Sequence, residues 1–418
     1  MESSVVVIGG SVAGIRVCQA LRSEGFMGEI TILSEELGLP YDLPPLSKTY
    51  LSGDQERTDF QLLSDADLVS LKLNLMRGVT AIAINPRERQ VVCSEGRTIQ
   101  YKTLVIACGA RPIAAPWDKV EGVTQFRTIG EANLVRRRIE QKRAVVVIGG
   151  GFIGSEVAST ARACGVPATI IERQPTLLYT AIGPKFCTYI QGLHVAAGVT
   201  VLCNTSVESV AKDAGRDGII VSLSGGRKVS AGVVVSGIGV RPNTAWLETS
   251  GIPINQGILC DEFGGVLGFP DIYAIGDVSL WFHPSRMIHT SYGHWTRATE
   301  TAGVVAHNIA RPKEKIPYNA VPFFWTWQHG KFIQVVGRWS ATDREIAIKG
   351  ETHGKVKFAA LYENQGKITC GAAVDWPDKV PWLRAAHAQN KSIDECVEYL
   401  RSNCDHAVVE DQSSQPAK

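Results

Sequence analysis

Two strand–glycine turn–helix–strand units, followed by a strand-rich carboxy-terminal stretch, predict an α/β protein. It should hold two Rossmann-like dinucleotide-binding domains and a small α+β domain. The first unit reads "VVVIGGSVAGIRVCQALRSEGFMGEITILSEE" from Val5, and the second reads "AVVVIGGGFIGSEVASTARACGVPATIIERQ" from Ala144. The third observation is the pair of apolar strand patterns "VKFAALYE" and "KITCGAAV" near the carboxy terminus.

In the first unit, the aliphatic run Val5 to Ile8 has the length and composition of a buried strand. Gly9 makes the tight turn after it. Gly14 lets the following helix pack closely on the strand, with Ile15, Val17, Ala20 and Leu21 available to the sheet. Ser11 stands where the middle glycine of the pattern usually lies and is small enough to let a pyrophosphate approach. The helix amino terminus then offers its positive end to the phosphates. A second strand, Ile30 to Leu33, ends at Glu35, an acceptor for ribose hydroxyls. The second unit has the full pattern at Gly149, Gly151 and Gly154, and its second strand ends at Glu172. One such fingerprint is weak evidence, but two complete copies imply two bound dinucleotides. An acid at Glu172 favours the free 2′-hydroxyl of NADH over the 2′-phosphate of NADPH, with Arg173 working against that preference.

A chain of 418 residues suggests two or three domains. A net charge of +2 gives no general reason to expect nucleic acid or an anionic membrane as partner. No apolar run reaches a membrane span or a secretory signal core, so a soluble, cytoplasmic protein is expected. The basic run Arg136, Arg137, Arg138, Lys142 and Arg143 reads as a solvated helix face. Ten cysteines are scattered without the spacing of a redox or metal-binding pair, so reduced core residues and no metal site are expected.

Three further segments fall in a telling order. "TLVIACGARP" (103–112) and "VVVSGIGVRPNTAWL" (233–247) are apolar strands that run into glycine turns and a basic residue. "GFPDIYAIGDVS" (268–279) sets Asp277 at a strand end, where a carboxylate binds a polyol. Together with "YDLPPLSK" (41–48), "FRT" (126–128) and "HW" (294–295), the chain resembles the oxygenase-coupled ferredoxin reductases. These belong to the FAD-dependent pyridine nucleotide-disulfide oxidoreductase superfamily and are relatives of rubredoxin reductases and apoptosis-inducing flavoproteins. The resemblance runs from about residue 4 to about 400. It implies a glutathione-reductase-like arrangement: an FAD-binding domain in two pieces (1–112 and 243–320), an inserted NADH-binding domain (113–242), a carboxy-terminal α+β domain (321–405) and a disordered tail (406–418).

The resemblance also implies roles. Lys48 would reach the flavin near its reactive N5, paired with Glu156 from the second glycine helix. A fixed cation there stabilises the negative charge that an arriving hydride brings. Pro45 would keep that segment rigid beside the flavin. Val79 would lie on the segment covering the adenine, and Arg111 would contact the flavin or its phosphates. Trp295 and Trp325 would sit around the flavin and nicotinamide, and Gly237 would line the NAD site. The implied reaction is hydride transfer from NADH to FAD, followed by single-electron transfer to an iron–sulfur ferredoxin serving an oxygenase or cytochrome P450, in a monomer or homodimer. Arg297, Arg311, Lys313, Lys315 and Lys331 are candidates for docking an acidic ferredoxin.

Sulfur narrows the chemistry. Disulfide reductases of the superfamily carry two cysteines on the first flavin helix, and this chain has only Cys18 there. The thiol-using relatives carry one after the second strand, where residues 35–55 have none. Cys108 replaces a usual threonine and reads as a packing substitute. Further departures are Leu43 for an arginine of the platform, Gly293 for a glutamate, and Thr326-Trp327 where the family has serine and aspartate. Trp327 would make the flavin surroundings more apolar. These departures leave open two other readings: an oxidoreductase acting directly on a small organic substrate, and a non-catalytic signalling flavoprotein.

Overall fold

The computed structural model describes residues 4–215, 217–284, 287–352 and 354–411. The chain divides into two compact units. The first runs up to Leu43 and resumes over Glu56–Arg111 and Val240–Ala320; the second takes Pro44–Gln55, Pro112–Gly239 and the chain from Val321 onward.

In the first unit, the strand Ser4–Ile8 lies between Glu29–Ser34 and Thr103–Ile106, parallel to both. Phe269–Ala274 extends this parallel core beyond Thr103–Ile106. Val5, Val6, Val7 and Ile8 are at most 5% exposed, as a strand covered on both faces requires. The helix Val12–Ser23 turns Ile15, Val17, Cys18 and Leu21 inward at helical spacing. It packs beside the helix Trp295–Ala310. The strands Ala81–Asn85, Gln90–Cys93 and Thr98–Gln100 form a separate antiparallel sheet.

The second unit repeats the plan. Val145–Ile148 lies between Ala168–Ile171 and Val233–Ser236, again parallel, with the helix Phe152–Ala163 crossing over. A three-stranded sheet, Val207–Lys212, Ile219–Leu223 and Lys228–Ala231, follows. The carboxy-terminal part is an antiparallel sheet that includes the hairpin Phe323–Gln328 and Lys331–Gly337. The helices Val380–Ala388 and Ile393–Arg401 bury Leu383, Ala386, Cys396 and Leu400 against it.

Two features differ from the expected domain bounds. The first part of the FAD domain was expected to run unbroken to residue 112, but Pro44–Gln55 packs with the second unit. Its Leu51 is 1% exposed in the same core as Val157 and Ala161 of the second glycine helix. The expected tail begins with a strand, Asp405–Asp411, paired antiparallel with Arg344–Thr352. Cross-strand ion pairs, Lys349 to Glu410 at 2.8 Å and Arg344 to Asp411, compensate for its poor apolar content. The rest of that tail, 412–418, lies outside the described residues.

Candidate functional site

The site begins with backbone. In the first turn, Gly9 has φ 121°, and a Cβ there would stand 2.4 Å from the carbonyl oxygen of Ala107. A Cβ on Gly14 would stand 1.9 Å from the Gly9 oxygen, so helix and turn touch directly. In the second turn, Gly149 (φ 109°) and Gly154 meet the same limits against Gly237 and Gly149. Gly151 differs, because a Cβ there would meet nothing within 4 Å. Its small size serves open space rather than protein packing, which is what a dinucleotide phosphate needs. Ser11, at the corresponding place in the first turn, caps its helix with backbone only, and its side chain makes no capping bond. Both turns therefore fit the groups proposed for them: FAD at the first and NAD at the second.

The two acidic residues are not equivalents. Ile8 pairs with Leu33 and Ile148 with Ile171, so Glu172 occupies the register position of Ser34, and Glu35 that of Arg173. Glu172 turns back over its own glycine turn, accepting from the Gly150 N–H at 2.6 Å and the Gln174 N–H at 2.7 Å. Glu35 reaches outward to Arg111 at 2.5 Å, both half-exposed. In the first unit, a small cleft is bordered by Gly10, Ser11, Ser34, Glu36 and Tyr41. The Trp295 indole donates to Asp42 at 2.8 Å. Val79 donates its N–H to the Ser34 carbonyl at 2.9 Å, tying its loop to the end of the second strand. Asp277 lies partly exposed in the short 3-10 turn Gly276–Val278, after the strand Phe269–Ala274.

In the second unit, the 3-10 turn Pro44–Ser47 hands the chain to Lys48, whose N–H bonds the Pro45 carbonyl at 3.0 Å. Lys48 Nζ lies 2.6 Å from Glu156 Oε2, donates to the Pro44 carbonyl at 3.2 Å and stands 5.6 Å from the Trp325 ring centre. Glu156 is 4% exposed, and two hydroxyls also serve its carboxylate: Ser47 at Oε2 and Thr326 at Oε1, both at 2.5 Å. A buried carboxylate that accepts from a cation and two hydroxyls is fixed in orientation. The sequence reading named Lys48 and Glu156 but missed the two hydroxyls. Ser47 adjoins Lys48, and the alternation of Phe323–Gln328 sends Thr326 and Gln328 to the buried face, each 1% exposed. Trp327 lies on the opposite, exposed face, stacked on Phe332 with ring centres 4.5 Å apart. It thus faces away from the Glu156 carboxylate.

Among the expected docking residues, Arg297 is corrected. It is 3% exposed and donates to the carbonyls of Gly276 and Ser279, because the inward face of its helix carries it under that turn. Arg311 pairs with Glu24 and Lys331 with Asp375, while Lys313 and Lys315 are exposed. Burial pushes the Cys108 thiol up to about 12, and its sulfur bonds the Asn243 carbonyl. Such a thiol is inert at neutral pH. The described cysteines are all unpaired.

Comparison with known proteins places these features. The model of the pyridine nucleotide-disulphide oxidoreductase family matches residues 3–302, and that of the reductase C-terminal domain matches residues 323–397. Rhodocoxin reductase of Rhodococcus erythropolis is 32% identical over 82% of this chain and 80% of its own. The ferredoxin–NAD(+) reductase component of the p-cumate 2,3-dioxygenase system of Pseudomonas putida is 31% identical over 94% and 95%. Among solved structures, putidaredoxin reductase in covalent complex with putidaredoxin superposes with a TM-score of 0.87, at 27% identity over 93% of each chain. The chain belongs to the pyridine nucleotide-disulphide oxidoreductase family, among the ferredoxin reductases of oxygenase systems.

Proposed function

We propose that this chain is an FAD-dependent NADH:ferredoxin oxidoreductase that supplies single electrons to an iron–sulfur ferredoxin of an oxygenase or cytochrome P450. The observation that carries the reading is the Lys48–Glu156 pair beside the second glycine turn, in a chain whose Cys108 thiol is inert. FAD, when bound, takes up a hydride and gives up its electrons one at a time. The residues supply the rest. The turn at Gly9, Ser11 and Gly14 receives one pyrophosphate, and the turn at Gly149, Gly151 and Gly154 receives the other. Glu172 favours the ribose of NADH. Lys48 presents a fixed positive charge to the flavin, and Glu156 keeps that charge in place. Pro45, Val79, Arg111, Asp277, Trp295 and Trp325 hold the FAD, and Gly237 borders the NAD.

The ferredoxin is acidic and meets exposed lysines, with Lys313 and Lys315 the first candidates now that Arg297 is buried. The working form is a cytoplasmic monomer or homodimer. Among the described residues, no helix is long and apolar enough to cross a membrane.

The test is anaerobic mixing of the yellow protein with NADH, followed by an oxidised [2Fe–2S] ferredoxin. The flavin should bleach and then recover as the ferredoxin is reduced, and the second phase should slow as ionic strength rises. A protein that takes up no FAD, or is not bleached by NADH, refutes the reading. A ferredoxin step indifferent to salt refutes the docking surface.

A further inference from the structure

Behind Glu156 runs a row of buried polar side chains that the proposed reaction does not use. Gln328 Nε2 donates to Thr326 Oγ1 at 3.3 Å, and Thr326 donates to Glu156 Oε1. On the far side, Gln328 Oε1 is 2.9 Å from His194 Nε2, and His194 Nδ1 is 2.9 Å from His329 Nε2. His194 has no exposed surface, although it lies on the helix Pro184–Ala196 among Phe186, Cys187 and Ile190. A buried polar row of this kind is stable only when every member is satisfied.

Counting protons gives the row one direction. Because the Gln328 amide nitrogen faces Thr326, its oxygen needs a donor, so His194 carries its proton on Nε2. His194 Nδ1 is then bare and accepts from His329 Nε2–H. Each bond points from His329 toward Glu156. Thr326 has one proton and can spend it on the carboxylate only while its oxygen is fed by the amide nitrogen. Turned end for end, the row is satisfied only if Glu156 is itself protonated and donates to Thr326.

We infer that His194 and His329 are positioning residues whose tautomers set the polarity of this row and thereby hold Glu156 as the carboxylate that orients Lys48. The inference rests on the reading of Lys48 as the flavin-side cation. Orientation is what passes along the row, since the Gln328 amide relays no proton. Burial, then the neighbouring His329, holds His194 down to about 4, and burial and Arg162 lower His329 as well. Both rings are therefore neutral near pH 7, and the tautomer is the variable. His329 is also fixed by its backbone. It has φ 50° beside Gly330 (φ 69°) in the two-residue hairpin turn, and its N–H donates to Ser159 Oγ at 2.6 Å.

The test compares His329→Gln with His329→Leu. Both face the same left-handed backbone cost, but only glutamine offers an N–H to His194 Nδ1. In the FAD-loaded wild type and in His329→Gln, 15N chemical shifts should show His194 protonated on Nε2. In His329→Leu the tautomers should mix, and NADH should reduce the flavin about 5- to 10-fold more slowly with its affinity unchanged, roughly the effect of one hydrogen bond. A wild-type His194 protonated on Nδ1, or equal reduction rates in the two variants, overturns the inference. Lys48→Met, run alongside, separates the two ideas. Unchanged reduction there overturns the reading of Lys48, whereas the tautomer assignment judges the histidines without reference to activity.

Discussion

If Glu156 acts only by holding Lys48, removing either residue should cost nearly as much as removing both. The double-mutant cycle of Lys48→Met and Glu156→Gln tests this. Lys48 is 16% exposed and Glu156 4%, at 2.6 Å, so the pair is neither a solvated surface bridge nor fully removed from water. Two unit charges about 4 Å apart at an effective dielectric near 20 attract by about 4 kcal/mol. Part of that is lost to desolvation and part is replaceable, because Ser47 and Thr326 still serve the carboxylate. A charge-assisted hydrogen bond nets about 1.5–3 kcal/mol, and about 2 kcal/mol corresponds to roughly 30-fold in rate. Lys48→Met should slow anaerobic flavin bleaching by about 100-fold, the scale of losing one preorganised charge-stabilising group. Glu156→Gln should slow it by about 30-fold, leaving the ammonium present but free to wander. The double variant should fall about 100-fold rather than the roughly 3,000-fold of independent sites. Stopped-flow absorbance reads the rates, and NADH titration should show affinities within about threefold of wild type. Multiplying effects would refute the idea that Glu156 works through Lys48, and an unaffected Lys48→Met would remove the cation from the reaction.

The remaining expectations concern groups the chemistry bypasses. At pH 8, Cys108 should resist iodoacetamide in the folded chain and react once the chain is unfolded, as mass spectrometry would show. Rapid modification of the native protein would contradict a thiol pushed up to about 12. His194 and His294 are each held down to about 4, with burial the main cause. The unfolded chain, with ordinary histidines near 6.5, then takes up protons that the native one refuses. Stability should therefore fall as pH drops from about 6.5 toward 4, where the unfolded rings are charged and the native ones are not. Urea unfolding followed from pH 7.5 to 4.5 should show that decline, and a flat profile would refute it.

How much of this was legible in the sequence depends on range. The glycine turns were readable because each constraint is local: Gly9 and Gly14 touch within six residues, and the helix and strands around them carry their periods on their face. The register of the two acids was not readable, since a shift of one residue between Glu35 and Glu172 shows only when paired strands are laid side by side. Arg297 was misread for a similar reason. A charged residue on a helix is usually solvated, and only the fold reveals two carbonyls waiting beneath it. The pair His194 and His329 lies 135 residues apart, so nothing in the sequence brings the two rings together. Gln328 was the available clue, a polar side chain two positions from Thr326 on a strand whose alternate members are buried.

The same alternation bears on whether this enzyme has been turned to another substrate. Thr326 and Trp327 were the departures that favoured such a change, because together they replace a serine and an aspartate. The strand sends them to opposite faces, so they must be judged separately. Thr326 keeps the one feature Glu156 needs, a hydroxyl proton, and the added methyl is accommodated at 1% exposure. Trp327 stacks outside on Phe332 and leaves the carboxylate's three donors in place. A remodelled reaction centre would be expected to alter the ion pair or its supporting bonds, and here every one of them is made. What Trp327 changes is the face of the strand it shares with Trp325, whose ring lies 5.6 Å from Lys48 Nζ, and not the bonds that hold the carboxylate.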